Sequence, residues 1–249
     1  MPHPSLLRKF PKGFQNGWNA YLSSDRDTGL DFGVWRLQEN ETIKVDNRRK
    51  ETALIVLDGS GSFEIEEKRI AFARFNPFKE SPTVLHFSEK SQVKITASDS
   101  KVTVLQTSVE NVEKFEYRYF SPKDCRQEVM NKDMFDNTAY CLLRTVFDGE
   151  NSFPQCKLAV GELINFPGRW SLYPHQKHLQ PEIHFFYFSE NEGFGHAEIG
   201  EDVLKINNYD LLKITRGKPH NFCAAPGTSM YSLWAVRHLP GNPYSSKTN

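Results

Sequence analysis

Short runs of β-branched and aromatic residues recur through the first half of the chain: DFGVWRLQ, ETIKV, ETALIVLDG, GSFEIE, KRIAFARF, TVLHF, QVKITA and KVTVLQT. Asp, Asn, Gly and Pro break them at intervals of roughly 8 to 12 residues, the rhythm of a sandwich or barrel rather than of βαβ units. Within LDGSGSFEI, Asp58-Gly59 and Gly61 predict a hairpin turn, because glycine accepts the positive φ that tight turns need. The stretch SVENVEKFEYRYFSPKDCRQEVMNKDMFDNTAY is charged and weakly periodic, and reads as a connector with a short helix or an extended arm. Strand rhythm then returns in AYCLLRTVF, CKLAVGELINF, EIHFFYF, GFGHAEIG, DVLKIN, YDLLKIT and MYSLWAV. Two similar all-β blocks predict a duplicated barrel, with units at 1–113 and 141–249 and a connector at 114–140. One large β-sandwich is the alternative. The polar tail NPYSSKTN is expected to fray.

Composition narrows the class. The 249 residues suffice for one large domain or two small ones, and 38% hydrophobic with 13% aromatic content supplies a core. Basic and acidic side chains balance at 31 each, which argues against a nucleic-acid partner. No apolar run reaches the roughly 18 residues of a membrane span. MPHPSLLRKFPKGFQNGW lacks the apolar core of a secretory leader. Cys125, Cys141, Cys156 and Cys223 are scattered without a CxxC pair, so reduced thiols and a cytoplasmic location are expected.

Histidine changes the picture. Of eight, His175, His178, His184, His196 and His220 crowd one part of the chain, around YPHQKHLQPEIH. Imidazole with carboxylate is the usual ligand set for Zn, Mn, Fe or Ni. Side chains two apart on a strand share a face, so Gln176 points with His178, and Glu182 with His184. A metal group of His178, Glu182 and His220 is one reading, and a hydrogen-bonded polar cluster is the other. His196 and His238 read as surface or packing residues.

The spacing resembles the two cupin motifs, G(x)5HxH(x)3–4E and G(x)5PxG(x)2H. Gly168 opens the first, with Gln176 and His178 in the HxH places and Glu182 after them; Gly217 and His220 fit the second, while Tyr209 and Thr215 replace its Gly and Pro. That resemblance implies an all-β chain of two cupin barrels, each a double-stranded β-helix or jelly roll. The flanking AVGELINFPGRWSLYPHQKH, PEIHFFYF, GFGHAEI and AAPGTSMYSLWAV are similar to the 5-deoxyglucuronate isomerase family of inositol catabolism. FGVWRLQENETI and RKETALIVLDGSGSF match that family's metal-free first cupin, where Arg48, Arg49, Lys50 and Glu51 stand in the ligand region without a histidine.

The resemblance implies an aldose–ketose isomerase, an intramolecular oxidoreductase, converting 5-deoxyglucuronate to 2-deoxy-5-keto-gluconate with one divalent metal ion. His178, Glu182 and His220 would be ligands, with His175 as a further candidate, and the sugar acid would meet Tyr173, Gln176, His184 and Arg216. Arg216 suits a carboxylate because of its planar fork of donors. Gln176 stands where the family has its first metal histidine, His175 where it has proline, and His184 where it has tyrosine. The loop Leu179-Gln180-Pro181 is shortened. Either His175 or His184 completes a rewired site, or metal affinity has fallen. The same departures leave a second reading open, a barrel that binds a sugar acid without isomerising it. The proton-transferring base is open between His184 and a metal-bound water. Edge strands make a homo-oligomer an expectation.

Overall fold

The computed structural model describes residues 3–215 and 217–247; Arg216, an expected substrate contact, lies outside them. Strand dominates. The first strands are β1 (Leu6–Leu7), β2 (Gly17–Leu22), β3 (Leu30–Leu37), β4 (Thr42–Val45), β5 (Lys50–Ile65) and β6 (Lys68–Arg74). Next come β7 (Val84–Phe87), β8 (Val93–Ala97), β9 (Val102–Glu110), β10 (Arg118–Phe120), β11 (Arg126–Met130), β12 (Cys141–Phe147) and β13 (Leu158–Asn165). The last are β14 (Glu182–Phe188), β15 (Phe194–Ile199), β16 (Asp202–Asn207), β17 (Leu211–Ile214), β18 (His220–Ala224) and β19 (Met230–Arg237). A short 3-10 turn, Phe135–Asn137, is the only helical element among the described residues.

The chain divides into two compact units that do not follow it linearly. One comprises Phe14–Cys125 and Asn151–Leu158; the other comprises the described parts of Met1–Gly13, Arg126–Glu150 and Ala159–Asn249. The N-terminal segment joins the second unit because β1 pairs with β17 and Arg8 binds the buried carboxylate of Asp210 at 3.1 Å. The expected connector is divided as well: β10 pairs with β7 in the first unit, and β11 with β12 in the second.

In the first unit, β5 is one strand of 16 residues where the sequence predicts two strands and a hairpin. Its first half pairs with β7 and β9, and its second half with β6 and β8. Asp58-Gly59 is therefore a corner where the strand passes between sheets, not a turn. The register shifts between Val56 and Asp58, and Gly59 takes φ +100° where a Cβ would strike the Lys101 carbonyl. Positive φ serves a barrel corner as well as a hairpin, which is why the local signal misleads. The tight turn falls at Glu66-Glu67, both left-handed (φ 47° and 64°), between the paired Ile65 and Lys68.

Glu51 anchors this unit. Its buried carboxylate accepts from His86 Nε2 (2.8 Å), Asn111 Nδ2 (2.9 Å) and the backbone N–H groups of Lys157 (2.7 Å) and Leu158 (3.2 Å). Burial pushes the carboxyl up, but His86, Asn111 and Lys157 together hold it below its ordinary value. Cys156 shares a possible ligand group with Glu51 and His86. Its thiol, however, is pushed up to about 12 by burial and by Glu51, and four donors already occupy the carboxylate. Hydrogen bonding thus accounts for this cluster without an ion.

In the second unit a seven-stranded sheet runs β1-β17-β14-β19-β13-β12-β11, and a three-stranded sheet runs β16-β15-β18. Alternate residues of both sheets turn into one core: Phe186 and Phe188 of β14, Met230, Trp234 and Val236 of β19, Ala197 and Ile199 of β15, Phe222 and Ala224 of β18. Gly161, inside β13, carries no Cβ because the Trp234 indole and the Arg144 carbonyl occupy that space. No helix among the described residues is long and apolar enough to cross a membrane.

Replacing Glu51 with alanine strands two side-chain and two backbone donors, and should cost about 3–5 kcal/mol in urea unfolding. Because the folded carboxyl titrates below 4.5, its contribution is complete above that pH and fades as pH falls through the lower folded value. Glu51→Gln should lack this component of acid sensitivity. Gly161→Ala should destabilise by about 1–3 kcal/mol through overpacking against Trp234, read in the same assay.

Candidate metal centre

Glu182, His184, Phe186 and Phe188 lie on one face of β14, so the strand carries polar residues at its start and core residues farther along. The register His184↔Trp234 between β14 and β19 sets the indole beside the imidazole on that inward face. His220 opens β18 and has the parity of the core residues Phe222 and Ala224. His178 comes from the loop before β14, which is tied down where Gly217 N–H donates to the His178 carbonyl at 3.0 Å.

Three imidazoles converge on one carboxylate. Glu182 Oε1 lies 2.8 Å from His220 Nε2 and 3.3 Å from His178 Nε2, and Oε2 lies 3.2 Å from His184 Nε2. Glu182 is 2% exposed, His220 2%, His184 3% and His178 8%. Burial pushes the Glu182 carboxyl up, but His220, His178 and His184 hold it well below the usual carboxylate range. Burial depresses His220, and Glu182 more than reverses this, raising it overall. For His184 burial prevails over Glu182, and the imidazole is held down, toward its neutral form.

The orientation of His220 bears on a metal ion. Its Nδ1 lies 3.1 Å from the Lys218 carbonyl, an acceptor only, so Nδ1 carries a proton and Nε2 is the nitrogen turned to Glu182. A ring nitrogen and a carboxylate oxygen this close need a cation between them, whether a proton or a metal. His178 Nε2, Glu182 Oε1 and His220 Nε2 are close in space, yet none is in hydrogen-bonding geometry with a partner. Ligand atoms of these three residues lie within 4.8 Å of one another. Two nitrogens and one oxygen so disposed fit a divalent cation of the Zn, Mn, Fe or Ni group. His184 Nε2–H instead donates to Glu182 Oε2, which keeps Oε1 turned to the other two rings.

The remaining expected residues divide. Gln176 pairs through its backbone with His220, so both side chains leave the same face, and its amide donates to Tyr244 Oη at 3.4 Å. His175 does not join the cluster: its Nε2 is 2.6 Å from Glu198 Oε2, and both side chains are part-exposed. Glu198 alternates with the core residues Ala197 and Ile199, which puts it on the outer face of β15. His175, Glu198 and Tyr173 line an outer cavity of about 520 Å³ with Phe135 and Trp170. Tyr173 is 58% exposed there, in edge contact with Phe135.

Two residues escaped the sequence reading. Trp234 was visible only as part of MYSLWAV, although its parity with Met230 and Val236 could have turned it inward. Tyr244 belongs to the tail expected to fray, whereas the described part of that tail is docked. Its ring lies 5.0 Å from His178 and 5.8 Å from Trp234, both edge-on, and it is 4% exposed. Nothing local in NPYSSKTN signals this.

The model of the KduI/IolB family matches residues 7–247. No curated protein matches the chain. An IolB-like protein from Salmonella typhimurium LT2 superposes with a TM-score of 0.79 at 18% identity, covering 90% of each chain. Oxalate decarboxylase from Lactobacillus farciminis gives 0.69 at 8% identity, over 100% of this chain and 90% of that one. A cupin 2 conserved barrel domain protein from Leptotrichia buccalis gives 0.56 at 10% identity, over 95% and 98%. These likenesses show the fold to be that of the cupins.

Loading with zinc followed by elemental analysis should give about one equivalent per chain. His178→Ala and His220→Ala should each weaken zinc binding by about 10- to 100-fold or more while thermal unfolding stays cooperative. His175→Ala should leave zinc binding unchanged, and a loss there would move His175 into the ligand set.

Proposed function

Because the chain belongs to the KduI/IolB family, which points to a sugar isomerase-type function, we propose that it is a metal-dependent aldose–ketose isomerase acting on a deoxyuronate. The reaction is 5-deoxyglucuronate to 2-deoxy-5-keto-gluconate, carried out in the cytoplasm, where the four free cysteines stay reduced. The observation that supports it is the convergence of His178, Glu182 and His220, all buried, the last two on the strands that carry the apolar core residues Phe186 and Phe222.

A cation held there would supply Lewis acidity toward the vicinal oxygens of an open-chain sugar. The chain's own residues set the geometry. The Lys218 carbonyl fixes the His220 tautomer, and His184 fixes the Glu182 rotamer through Oε2. His184 Nδ1 faces the Ser232 hydroxyl at 3.5 Å, which holds the ring in place from its other side. His184 therefore acts on the reaction by positioning Glu182. Burial by Phe186 and Phe222 lowers the local dielectric, which strengthens each of these interactions.

Gln176 favours a second reading, a cupin that holds a sugar acid without isomerising it, since a neutral amide stands at the place of an HxH ligand. The two readings separate in one experiment. Zinc-loaded protein incubated with 5-deoxyglucuronate should produce a ketose carbon signal by NMR; EDTA should abolish it and added zinc restore it. Calorimetric binding of the acid with no ketose signal would establish the binder and remove the isomerase.

A further inference from the structure

The C-terminal segment closes back on the second unit and is held at many points. Gly149 N–H donates to the Tyr244 carbonyl (2.8 Å), and Tyr244 N–H donates to His238 Nδ1 (3.0 Å). Gln180 Nε2 donates to the Asn242 carbonyl (3.0 Å). Beyond Tyr244, Ser246 N–H donates to the buried carboxylate of Asp148 (3.0 Å), and Arg126 Nη2 binds both Asp148 and the Ser246 hydroxyl. These bonds fix the backbone on both sides of Tyr244, so its ring is placed by the fold and not by chance contact. Gly149 fits the same purpose, since a Cβ there would press on Pro243 and the Tyr244 carbonyl.

We propose that Tyr244 is a substrate-positioning residue of the metal centre, acting with Gln176 and Trp234 to hold the hydroxyl groups of a polyhydroxy acid beside His178, Glu182 and His220. This rests on the preceding reading that the site takes a sugar acid. Three observations carry it. Gln176 shares a face with His220 through their backbone pairing, and its amide reaches Tyr244 Oη in place of a ligand position. The Tyr244 ring is seated edge-on against His178, and Gln176, which shares the face of His220, holds its hydroxyl. Trp234 Nε1, 4% exposed and on the same face as His184, has no hydrogen-bond partner among the described residues. A buried donor left unmade is costly, and it is retained where an acceptor arrives with a ligand or a bound water. A phenol, a primary amide and an indole N–H present the mixture of donors and acceptors that vicinal hydroxyls require.

The test compares Tyr244→Phe, which keeps the ring and removes the hydroxyl, with Gln176→Leu, which breaks the same pair from its part-exposed side. Zinc-loaded full-length proteins are titrated with 5-deoxyglucuronate by calorimetry and assayed for turnover. Both variants are expected to bind the acid about 3- to 10-fold more weakly and to raise KM by the same factor, the size of one neutral hydrogen bond. Thermal midpoint, zinc content and kcat should stay near wild type. Unchanged binding and KM in both variants overturns the proposal, as does weakening that appears only together with lost zinc or a lowered midpoint. A wild type that binds the acid without converting it rejects the isomerase reading and leaves Tyr244 to be decided by the binding arm. A wild type that binds none of it overturns both.

Discussion

A single buried carboxylate organises the second unit. Glu182 cannot sit ionised in an apolar barrel without compensation, because the loss of hydration is worth several kcal/mol even after relaxation. Compensation comes from three imidazoles drawn from a loop, from its own strand and from the start of β18. Each must approach from a different direction, which fixes the loop before β14, the register of β14 against β19 and the entry of β18. The arrangement leaves nitrogens and an oxygen close together without hydrogen bonds between them. That residue of unsatisfied polarity is what makes the cluster a group that could hold a cation.

The first unit shows the same chemistry resolved differently. Glu51 is also a fully buried glutamate beside a histidine, with a cysteine close by. There, however, an asparagine amide and two backbone N–H groups complete the carboxylate's partners, and the cluster closes on itself. What separates the two clusters is thus not which residue types gather but whether their polar atoms already have partners. Glu51 is surrounded by donors, while around Glu182 only Oε2 has such a donor, and Oε1, His178 Nε2 and His220 Nε2 are left without hydrogen-bond partners.

The rest of the second unit serves to hold this imbalance in place. Gly161 admits the Trp234 indole, Trp234 and His178 seat Tyr244, and Tyr244 receives the Gln176 amide. Asp148 and Arg126 secure the tail that carries Tyr244. Each link is a packing or hydrogen-bond constraint between residues far apart in the chain, and together they set aromatic rings against His178 and His184.

The period-2 alternation was enough to establish an all-β chain, because side-chain parity along a strand is a local property. For the same reason the sequence determined that Glu182 and His184 share an inward face, and the paired motif spacing brought His220 to them. It could not separate His178 from His175, since the direction of a loop side chain depends on where the loop is tied, here by Gly217 and His220. Nor could it distinguish a hairpin from a barrel corner at Asp58-Gly59, where one glycine conformation serves both. Tyr244 lay beyond its reach for the strongest reason: its place comes from Asp148, Gly149, Arg126 and His178, all distant in sequence, and only the folded chain brings them together.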